Sequence, residues 1–418
     1  MRAGHGTALL SVPDGTPMGG YAARTSPSAG MLAPLQVDCV SIAAGADRFL
    51  LVVAELVGVN ADLVAQIRRR IPGEVWVCAT HTHSGPDVGS RPGGGTTPAA
   101  WVDAVSDAAA EAARRAVATE TECVASHHAG VLDGVGARRS ADTGERRVPV
   151  DLLRFADGDR LAGVVAVVPV HPTVLPASSC VVSGDLAAWI REALRDELAA
   201  GGGPVPWVVV ATGAAGDIST RWTRTAQTEA DGRRLAGLAA TRLAELLDAG
   251  PGRAWTADDG IAVSRRTLTL PVRRDDRDRL DELRDVFAAQ LAGVPADDPA
   301  GRAAVTALQG VEAAAARTHG GAAADAVVPE SVALELAVAR LGELTLHGIG
   351  GEPFLSLRDA AAPAVLLGYA NGYAGYLPAA ADFDTPAYEV LISPFRPDAA
   401  DDVAGALHEL AHRSTHGG

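Results

Sequence analysis

Lysine does not occur in this 418-residue chain, so arginine and histidine carry its basic side chains. Acidic residues outnumber lysine plus arginine, 51 against 36, and the formal net charge is -15 at pH 7. Nucleic acids and anionic membrane surfaces are bound through clusters of basic residues. The composition therefore argues against nucleic acid or a membrane surface as a partner.

The sequence also lacks a long apolar run. No stretch approaches the roughly 18 apolar residues of a membrane-spanning helix. Residues 1–13 lack the apolar region of roughly 7–15 residues that a secretory signal requires. We therefore expect a cytoplasmic protein without membrane insertion.

Cysteine and aromatic residues are sparse. Aromatic residues make up 4% of the chain, and the wide spacing of its four cysteines favours reduced core thiols over a disulfide frame. These cysteines are Cys39, Cys78, Cys123 and Cys180.

What the chain does contain is a regular alternation of apolar runs and helical patterns. This alternation predicts a mixed α/β fold of the α+β type, with mixed sheets and flanking helices. The predicted strands lie at 36–43, 48–55, 74–79, 122–127, 151–156, 162–170, 206–212, 260–271, 331–339, 342–347, 364–369 and 387–392. The predicted helices lie at 99–118, 184–199, 228–248 and 399–413.

Residues 275–325 differ from their surroundings. They are charged at first and then rich in alanine, with Gly293-Val294-Pro295 as a break. The segment is predicted to be an inserted helical hairpin. Two interpretations of it stay open, a packing element and a lid over a site.

Two histidines, His81 and His83, follow the apolar run Val75–Val77. Alternate side chains at a strand end point the same way, so the two imidazoles are expected to share a face. Imidazole is the commonest ligand for a metal such as zinc. Taken alone, such a pair is equally compatible with two structural histidines.

Other polar residues also follow apolar runs. His171 follows one run, Ser219 lies in a loop of small residues, and Glu352 lies in a glycine-rich turn. Each has an ordinary structural interpretation, such as a core histidine or a helix-capping glutamate. Four of the five tyrosines fall between residues 369 and 388, which favours a polar pocket with aromatic walls.

Together these segments resemble the neutral ceramidase family, the neutral/alkaline non-lysosomal ceramidases, in their N-terminal catalytic domain. The motifs occur in family order over nearly the whole chain: MGGYAAR at 18–24, THTHSGP at 80–86, HPT at 171–173, SGD at 183–185, GDIS at 216–219, GGE at 350–352, GYANGYAGYLP at 368–378 and YE at 388–389. The resemblance implies one large catalytic domain over 1–418 that contains the helical insertion. A C-terminal immunoglobulin-like domain is not expected.

The resemblance also implies a role for individual residues. It implies a catalytic zinc ion with four ligands: His81, His171, Glu352 and Tyr388. His83 is similar to the family's general acid/base. Ser219 corresponds to a serine that acts either as nucleophile or as an anchor for a substrate hydroxyl. Arg139 corresponds to the arginine that stabilises the oxyanion, with Arg138 as the alternative one position earlier.

The sequence departs from the family pattern at Thr220 and Arg221, where proline and asparagine are usual. Features for access to a membrane lipid are also missing. We therefore expect a zinc-dependent hydrolase that cleaves a linear amide (N-acyl) bond in a small soluble metabolite, in secondary metabolism. One alternative is an acyltransferase or cyclising enzyme that uses the same site, and another is a non-catalytic zinc-binding scaffold or sensor. Association into a homo-oligomer stays open.

Overall fold

The structure is a computed structural model that describes residues 1–200, 203–257, 260–296, 298–319 and 329–413. Its strands within these ranges are β1 (Arg2–Leu10), β2 (Leu35–Ala44), β3 (Asp47–Ala54), β4 (Glu74–Ala79), β5 (Thr121–Glu122), β6 (Val124–Asp133), β7 (Ala137–Arg138), β8 (Arg147–Asp157), β9 (Arg160–Val168), β10 (Trp207–Thr212), β11 (Ile218–Ser219), β12 (Arg253–Trp255), β13 (Ile261–Pro271), β14 (Ser331–Leu341), β15 (Leu344–Ile349), β16 (Glu352–Pro353), β17 (Val365–Leu367) and β18 (Tyr376–Leu377). Its helices are α1 (Ala61–Arg70), α2 (Ala99–Ala118), α3 (Asp185–Ala199), α4 (Glu229–Asp248), α5 (Arg277–Ala292), α6 (Pro299–His319), α7 (Leu355–Ala361), α8 (Tyr388–Ile392) and α9 (Ala399–Arg413).

Three larger sheets form the framework. Their strand orders are β4-β3-β2-β1-β5, β10-β9-β8-β6-β12 and β13-β14-β15-β17. Each is mainly antiparallel and ends in one parallel pair: β3 with β4, β9 with β10, and β15 with β17. Two short sheets, β11-β7 and β16-β18, are attached to this framework. The mixed α+β fold predicted from the sequence is therefore confirmed.

The continuous apolar run in β3 reflects burial on both faces of its sheet. Phe49, Leu51 and Val53 point into a core that also contains side chains of the second and third sheets. Leu50 and Val52 point the other way, into a core shared with α1 and α2. Because successive strand side chains alternate between faces, only a strand covered on both sides is apolar throughout.

The other two sheets are covered in the same way. Helices α3 and α4 pack on the outer face of the second sheet, and α9 packs on the outer face of the third. All three sheets therefore meet at one central core and carry their helices outside.

The strand ends that lead into the candidate site lie close together. The Ala79 N–H at the end of β4 donates to the Tyr369 carbonyl, and the Gly368 N–H donates to the Thr212 carbonyl at the end of β10. These bonds link the first sheet to the third and the third to the second. Loops that leave the three sheets are thus brought to one place.

One strand prediction was wrong. Residues 387–392 were expected to form a strand, but Tyr388–Ile392 is the helix α8. Val390 packs with Phe354 and Tyr376, while Leu391 packs into the core of the α5–α6 hairpin. A short apolar run has no periodicity that separates a strand from a buried helical turn, so packing decided its conformation.

Helices α5 and α6 occupy the segment predicted as a helical hairpin, and the part of that segment from residue 320 onward lies outside the described residues.

Cys39 and Cys78 are buried, and all four cysteines are free. Among the described residues no helix is both long and apolar enough to cross a membrane.

Candidate metal centre

Three buried histidines lie close together, two of them in the loop after β4 and the third in the loop after β9. Within the described residues, ligand atoms of His81, His83 and His171 all lie within 4.8 Å of one another, and the group can hold a metal ion. Glu352 joins them, with its Oε2 at 3.2 Å from His81 Nε2 and at 3.1 Å from His171 Nε2. Imidazole nitrogens and a carboxylate oxygen are ligands that zinc accepts.

The other ring nitrogens define the tautomers of two of these histidines. His81 Nδ1 is 2.5 Å from the Val57 carbonyl oxygen, and His171 Nδ1 is 2.6 Å from the Ala215 carbonyl oxygen. A carbonyl oxygen only accepts, so each Nδ1 donates and each Nε2 is left to face Glu352. Metal-binding histidines in proteins are commonly oriented in this way.

Each contact between Nε2 and Glu352 requires a proton or a metal ion between the two atoms. Burial, followed by the charge of Arg139, lowers the pKa of His171 to about 4. A proton on His171 is therefore disfavoured near neutral pH. The donor set fits a divalent metal such as zinc better than it fits two protonated imidazoles.

Tyrosines surround the carboxylate. The Tyr373 hydroxyl donates to Glu352 Oε1 at 2.5 Å, and the Tyr369 hydroxyl donates to Oε2 at 3.3 Å. Burial acts to raise the pKa of Glu352, but its contacts with His81 and His171 outweigh burial and hold the pKa well below its usual value. The carboxylate is thus ionised, and each of its two oxygens has at least one polar partner.

His83 lies beside this group, between His81 and Tyr21. Its Nε2 is 3.2 Å from His81 Nε2, and its ring meets the Tyr21 ring edge-on at 4.8 Å between centroids. Its Nδ1 is buried and has no hydrogen-bond partner among the described residues. Burial, followed by the charges of His81 and His171, holds the pKa of His83 well below its usual value.

Of the two adjacent arginines, Arg139 reaches the centre. Its Nη1 is 3.2 Å from His171 Nε2 and donates to the Tyr376 hydroxyl at 3.1 Å. Arg138 points away and pairs with Asp217 and Asp382. Arg138 is the last residue of β7 and Arg139 follows it directly, so the two adjacent side chains point in different directions.

Ser219 lies beside the centre in β11, which pairs with β7. Its backbone also forms a bridge with His171. Its Oγ accepts a hydrogen bond from the Arg221 N–H at 3.3 Å. No histidine or carboxylate of the described residues is hydrogen-bonded to this oxygen, so a base that would activate it as a nucleophile is not in place.

Tyr388, the fourth predicted ligand, stands at the first residue of α8. Its ring is 6.1 Å from the Tyr376 ring, between centroids, and burial raises the pKa of its hydroxyl to about 12. Within the described chain no hydrogen bond joins Tyr388 to His81, His171 or Glu352. Its assignment as a ligand stays a prediction.

Two cavities open from the centre. The arginine cavity, of about 430 Å³, is lined by His83, Ser219 and four arginines: Arg139, Arg221, Arg224 and Arg302. The tyrosine cavity, of about 410 Å³, is lined by His81, Glu352, Tyr373 and Tyr376. His83 and Tyr388 contribute to both. Volumes of this size accommodate small molecules.

Sequence reasoning did not single out several residues at this site. The concentration of tyrosines indicated a pocket but did not indicate that Tyr369 and Tyr373 contact Glu352. Nothing in the sequence pattern indicated that Arg224 and Arg302 share a cavity, because Arg224 lies in the loop before α4 and Arg302 lies in α6, more than 70 residues further along the chain.

The fold and the site define an α+β protein in which a buried histidine and carboxylate centre, able to hold a metal ion, lies where three sheets meet. No protein-family model and no curated protein matches the sequence. Two solved structures are similar over 98% of the chain: a ceramidase complexed with C2, with a TM-score of 0.73, and the neutral ceramidase from Pseudomonas aeruginosa, with a TM-score of 0.72. Both are 17% identical to this chain, which covers 74% of each. The chain thus has a neutral ceramidase-like fold, as its motifs predicted.

Proposed function

We propose that the protein is a zinc-dependent hydrolase that cleaves the amide (N-acyl) bond of a small soluble metabolite. The observation that carries this proposal is the convergence of His81, His171 and Glu352 at a point reached by two cavities. The ceramidase-like fold supports amide hydrolysis as the reaction class.

His81, His171 and Glu352 would hold the zinc ion, and Tyr388 is proposed as a fourth ligand. A bound zinc ion supplies Lewis acidity and makes water acidic enough to lose a proton near neutral pH. The hydrogen bonds from Tyr369 and Tyr373 would fix the Glu352 carboxylate in place for this role.

In this proposal His83 moves the proton. Its ring faces the arginine cavity and lies next to His81, so it can take a proton from the attacking water and give it to the leaving nitrogen. Arg139 would donate to the developing oxyanion from its position beside His171. Ser219 would act as a hydrogen-bonding anchor, since no base is bonded to its hydroxyl.

The test compares the wild type with His171→Ala and with the control His127→Ala. His127 also forms a contact with a carboxylate, Asp151, but lies outside the candidate centre. Protein purified without added metal is examined by elemental analysis, and acid release is measured on a panel of N-acyl amino compounds. Products are identified with and without an added amine, because acyl transfer would yield a new amide.

We expect about one zinc ion per chain in the wild type and in His127→Ala. We expect His171→Ala to lose the ion and about 10³-fold or more of kcat/KM, since a catalytic metal supplies several kcal/mol of transition-state stabilisation. A His171→Ala variant without metal that keeps full amidase activity would contradict the mechanism. A metal-free wild type would do the same.

A further inference from the structure

The charge of the arginine cavity is opposite to that of the whole molecule. The chain has a net charge of -15, yet the described walls of this cavity contain four arginines and no aspartate or glutamate. A cavity that concentrates one sign of charge attracts ligands of the opposite sign.

Two of these arginines are bonded only to neutral groups. Arg221 is 7% exposed, and its guanidinium donates to the Arg139 carbonyl at 2.7 Å and to the Thr306 hydroxyl at 3.4 Å. The Arg224 guanidinium donates to the Thr173 carbonyl at 2.8 Å, and its Nε is buried without a partner. Within the described chain, neither guanidinium has a carboxylate at salt-bridge distance.

Two carboxylates act on these arginines through their charge without contacting them, Glu389 on Arg221 and Asp185 on Arg224. Glu389 lies 3.9 Å from Arg139. Asp185 accepts backbone N–H bonds from Val174 and Leu175. Neither acid therefore offers a direct hydrogen-bonded partner to the two cavity arginines.

The pKa values of the two arginines are consistent with missing counter-charge. Burial, followed by the charge of Arg139, lowers the pKa of Arg221 to about 9. Burial also lowers the pKa of Arg224 to about 10, although Tyr21 acts in the opposite direction. Both groups still carry a positive charge near neutral pH, and that charge is removed from water without an anionic partner in contact.

We propose that the substrate carries an oxyanion group, a carboxylate or a phosphate, which binds to Arg221 and Arg224 while its amide bond lies at the metal centre. This inference rests on the proposed function, because it names the substrate class of the same site. Guanidinium groups form strong, charge-assisted hydrogen bonds with either oxyanion. The apolar part of the wall, which includes Pro176, Ala177 and Val305, would contact the acyl chain.

Two matched pairs of probes test the proposal. The carboxylate pair is N-hexanoylglycine and its neutral carboxamide, N-hexanoylglycinamide. The phosphate pair is N-hexanoyl-2-aminoethyl phosphate and its neutral counterpart, N-hexanoylethanolamine. Release of hexanoate is measured for each probe, so that the hydrolysed bond is the same throughout. The pair with the larger preference for its anionic member identifies the oxyanion.

We expect the wild type to favour the anionic member of one pair by about 30-fold in kcat/KM, as a desolvated charge pair allows. Arg224→Gln should bring this ratio close to one, because kcat/KM for the anionic member falls by far more than kcat/KM for the neutral member. Arg221→Lys, which keeps the charge, should retain most of the preference, and Arg221→Gln should lose it. The control Arg160→Gln removes an exposed arginine that pairs with Asp157. It should change neither the ratio of kcat/KM between the anionic and neutral members nor kcat/KM for the neutral member.

The outcomes separate this inference from the proposed function. Equal hydrolysis of the charged and neutral members by the wild type would overturn the anionic substrate and leave the amidase intact. If no probe releases hexanoate, the hydrolase assignment fails for this class, and calorimetric titration of the anionic probes then decides the anion site. Binding that is weaker in Arg224→Gln than in Arg160→Gln would support the site, while equal binding or none would overturn it.

Discussion

At the scale of the residue, the backbone of the candidate metal centre is held in uncommon conformations. His81, Tyr369 and Asn371 have φ values of 68°, 54° and 63°, in the left-handed region that residues other than glycine rarely occupy. Such conformations persist only where the surrounding structure determines them, and they cluster at functional sites. Here the His81 and Tyr369 rings stack with their centroids 4.2 Å apart. The strained backbone thus positions a histidine and a tyrosine against the same carboxylate.

A single glycine determines where His83 can lie. Gly20 has a φ of 93°, and a Cβ there would lie 2.6 Å from His83 Cγ and 2.8 Å from its Cα. We expect Gly20→Ala to displace His83 and to lower kcat by about 100-fold, because small displacements of a catalytic group have effects of this size. The bound metal should be retained, since the three nearest atoms all belong to His83 and none to His81, His171 or Glu352.

The control for this variant is Gly15→Ala. Gly15 has a similar φ of 83°, but a Cβ there meets no described atom within 4 Å. Both variants impose backbone strain, and only Gly20→Ala also impinges on the histidine. Equal kcat and zinc content in the two variants would show that His83 does not need its present position.

The sequence analysis predicted that His81 and His83 lie close together, but the structure brings them together in a different way from the one expected. Alternation at a strand end was expected to put both imidazoles on one face. The strand β4 ends at Ala79, and the left-handed His81 redirects the chain, yet the two Nε2 atoms are 3.2 Å apart. The hydrogen bond from His81 Nδ1 to the Val57 carbonyl orients the ring, and a contact between residues 24 positions apart has no signature in a local pattern.

At the scale of the element, local patterns predicted those helices that have a clear apolar face. Helix α2 covers the predicted range 99–118, and its buried residues Val105, Ala109, Ala112 and Ala116 recur at helical spacing. The strand β1 was not predicted, because Gly4, His5 and Gly6 interrupt any apolar alternation. This segment becomes a strand by pairing with β2 along its whole length, and such pairing is a tertiary effect.

The helical hairpin lines the arginine cavity directly through Arg302 of α6, and it also contacts α8. Gly310 lies in α6 where a Cβ would be 3.0 Å from Leu391 Cβ and 3.2 Å from Tyr388 Cα. We expect Gly310→Val to push α8 and the Tyr388 side chain away from the cavities and to lower kcat/KM by about tenfold. The hairpin would then act as a positioning element for the cavity wall.

The matched variant is Gly237→Val in α4. A Cβ at Gly237 meets no described atom within 4 Å, and valine has the same intrinsic preference in both helices. Comparison of kcat/KM and of the thermal unfolding midpoint in the two variants isolates the contact with α8. Unchanged kcat/KM in Gly310→Val would contradict a positioning role for the hairpin.

At the scale of the whole molecule, the candidate site depends on how three sheets are assembled. Side chains such as Val53, Val165 and Leu346 from the three sheets share one core. Most of their strands were predicted from apolar runs, but the order of strands and the contact between sheets were not. A run of valines is compatible with many partners, so only the motif resemblance indicated that the separate loops meet.

The same close packing makes the stability of the molecule sensitive to acid through a histidine outside the site. His347 in β15 is 6% exposed, and its Nδ1 is buried without a partner among the described residues. Burial, followed by the charge of His408 on α9, lowers its pKa from 6.5 to about 4. The unfolded chain therefore takes up this proton at a higher pH than the folded protein does.

The sign of the pH dependence follows from this difference. The contribution of His347 to the free energy of unfolding is complete above pH 6.5 and is lost as the pH falls to about 4, a loss of about 3 kcal/mol. We expect His347→Gln to remove this part of the acid sensitivity when denaturant unfolding is measured between pH 7 and pH 4. His408→Gln should remove only a smaller part, because burial is the larger cause of the shift. Parallel pH profiles for the wild type and His347→Gln would show that this buried imidazole does not couple folding to protonation.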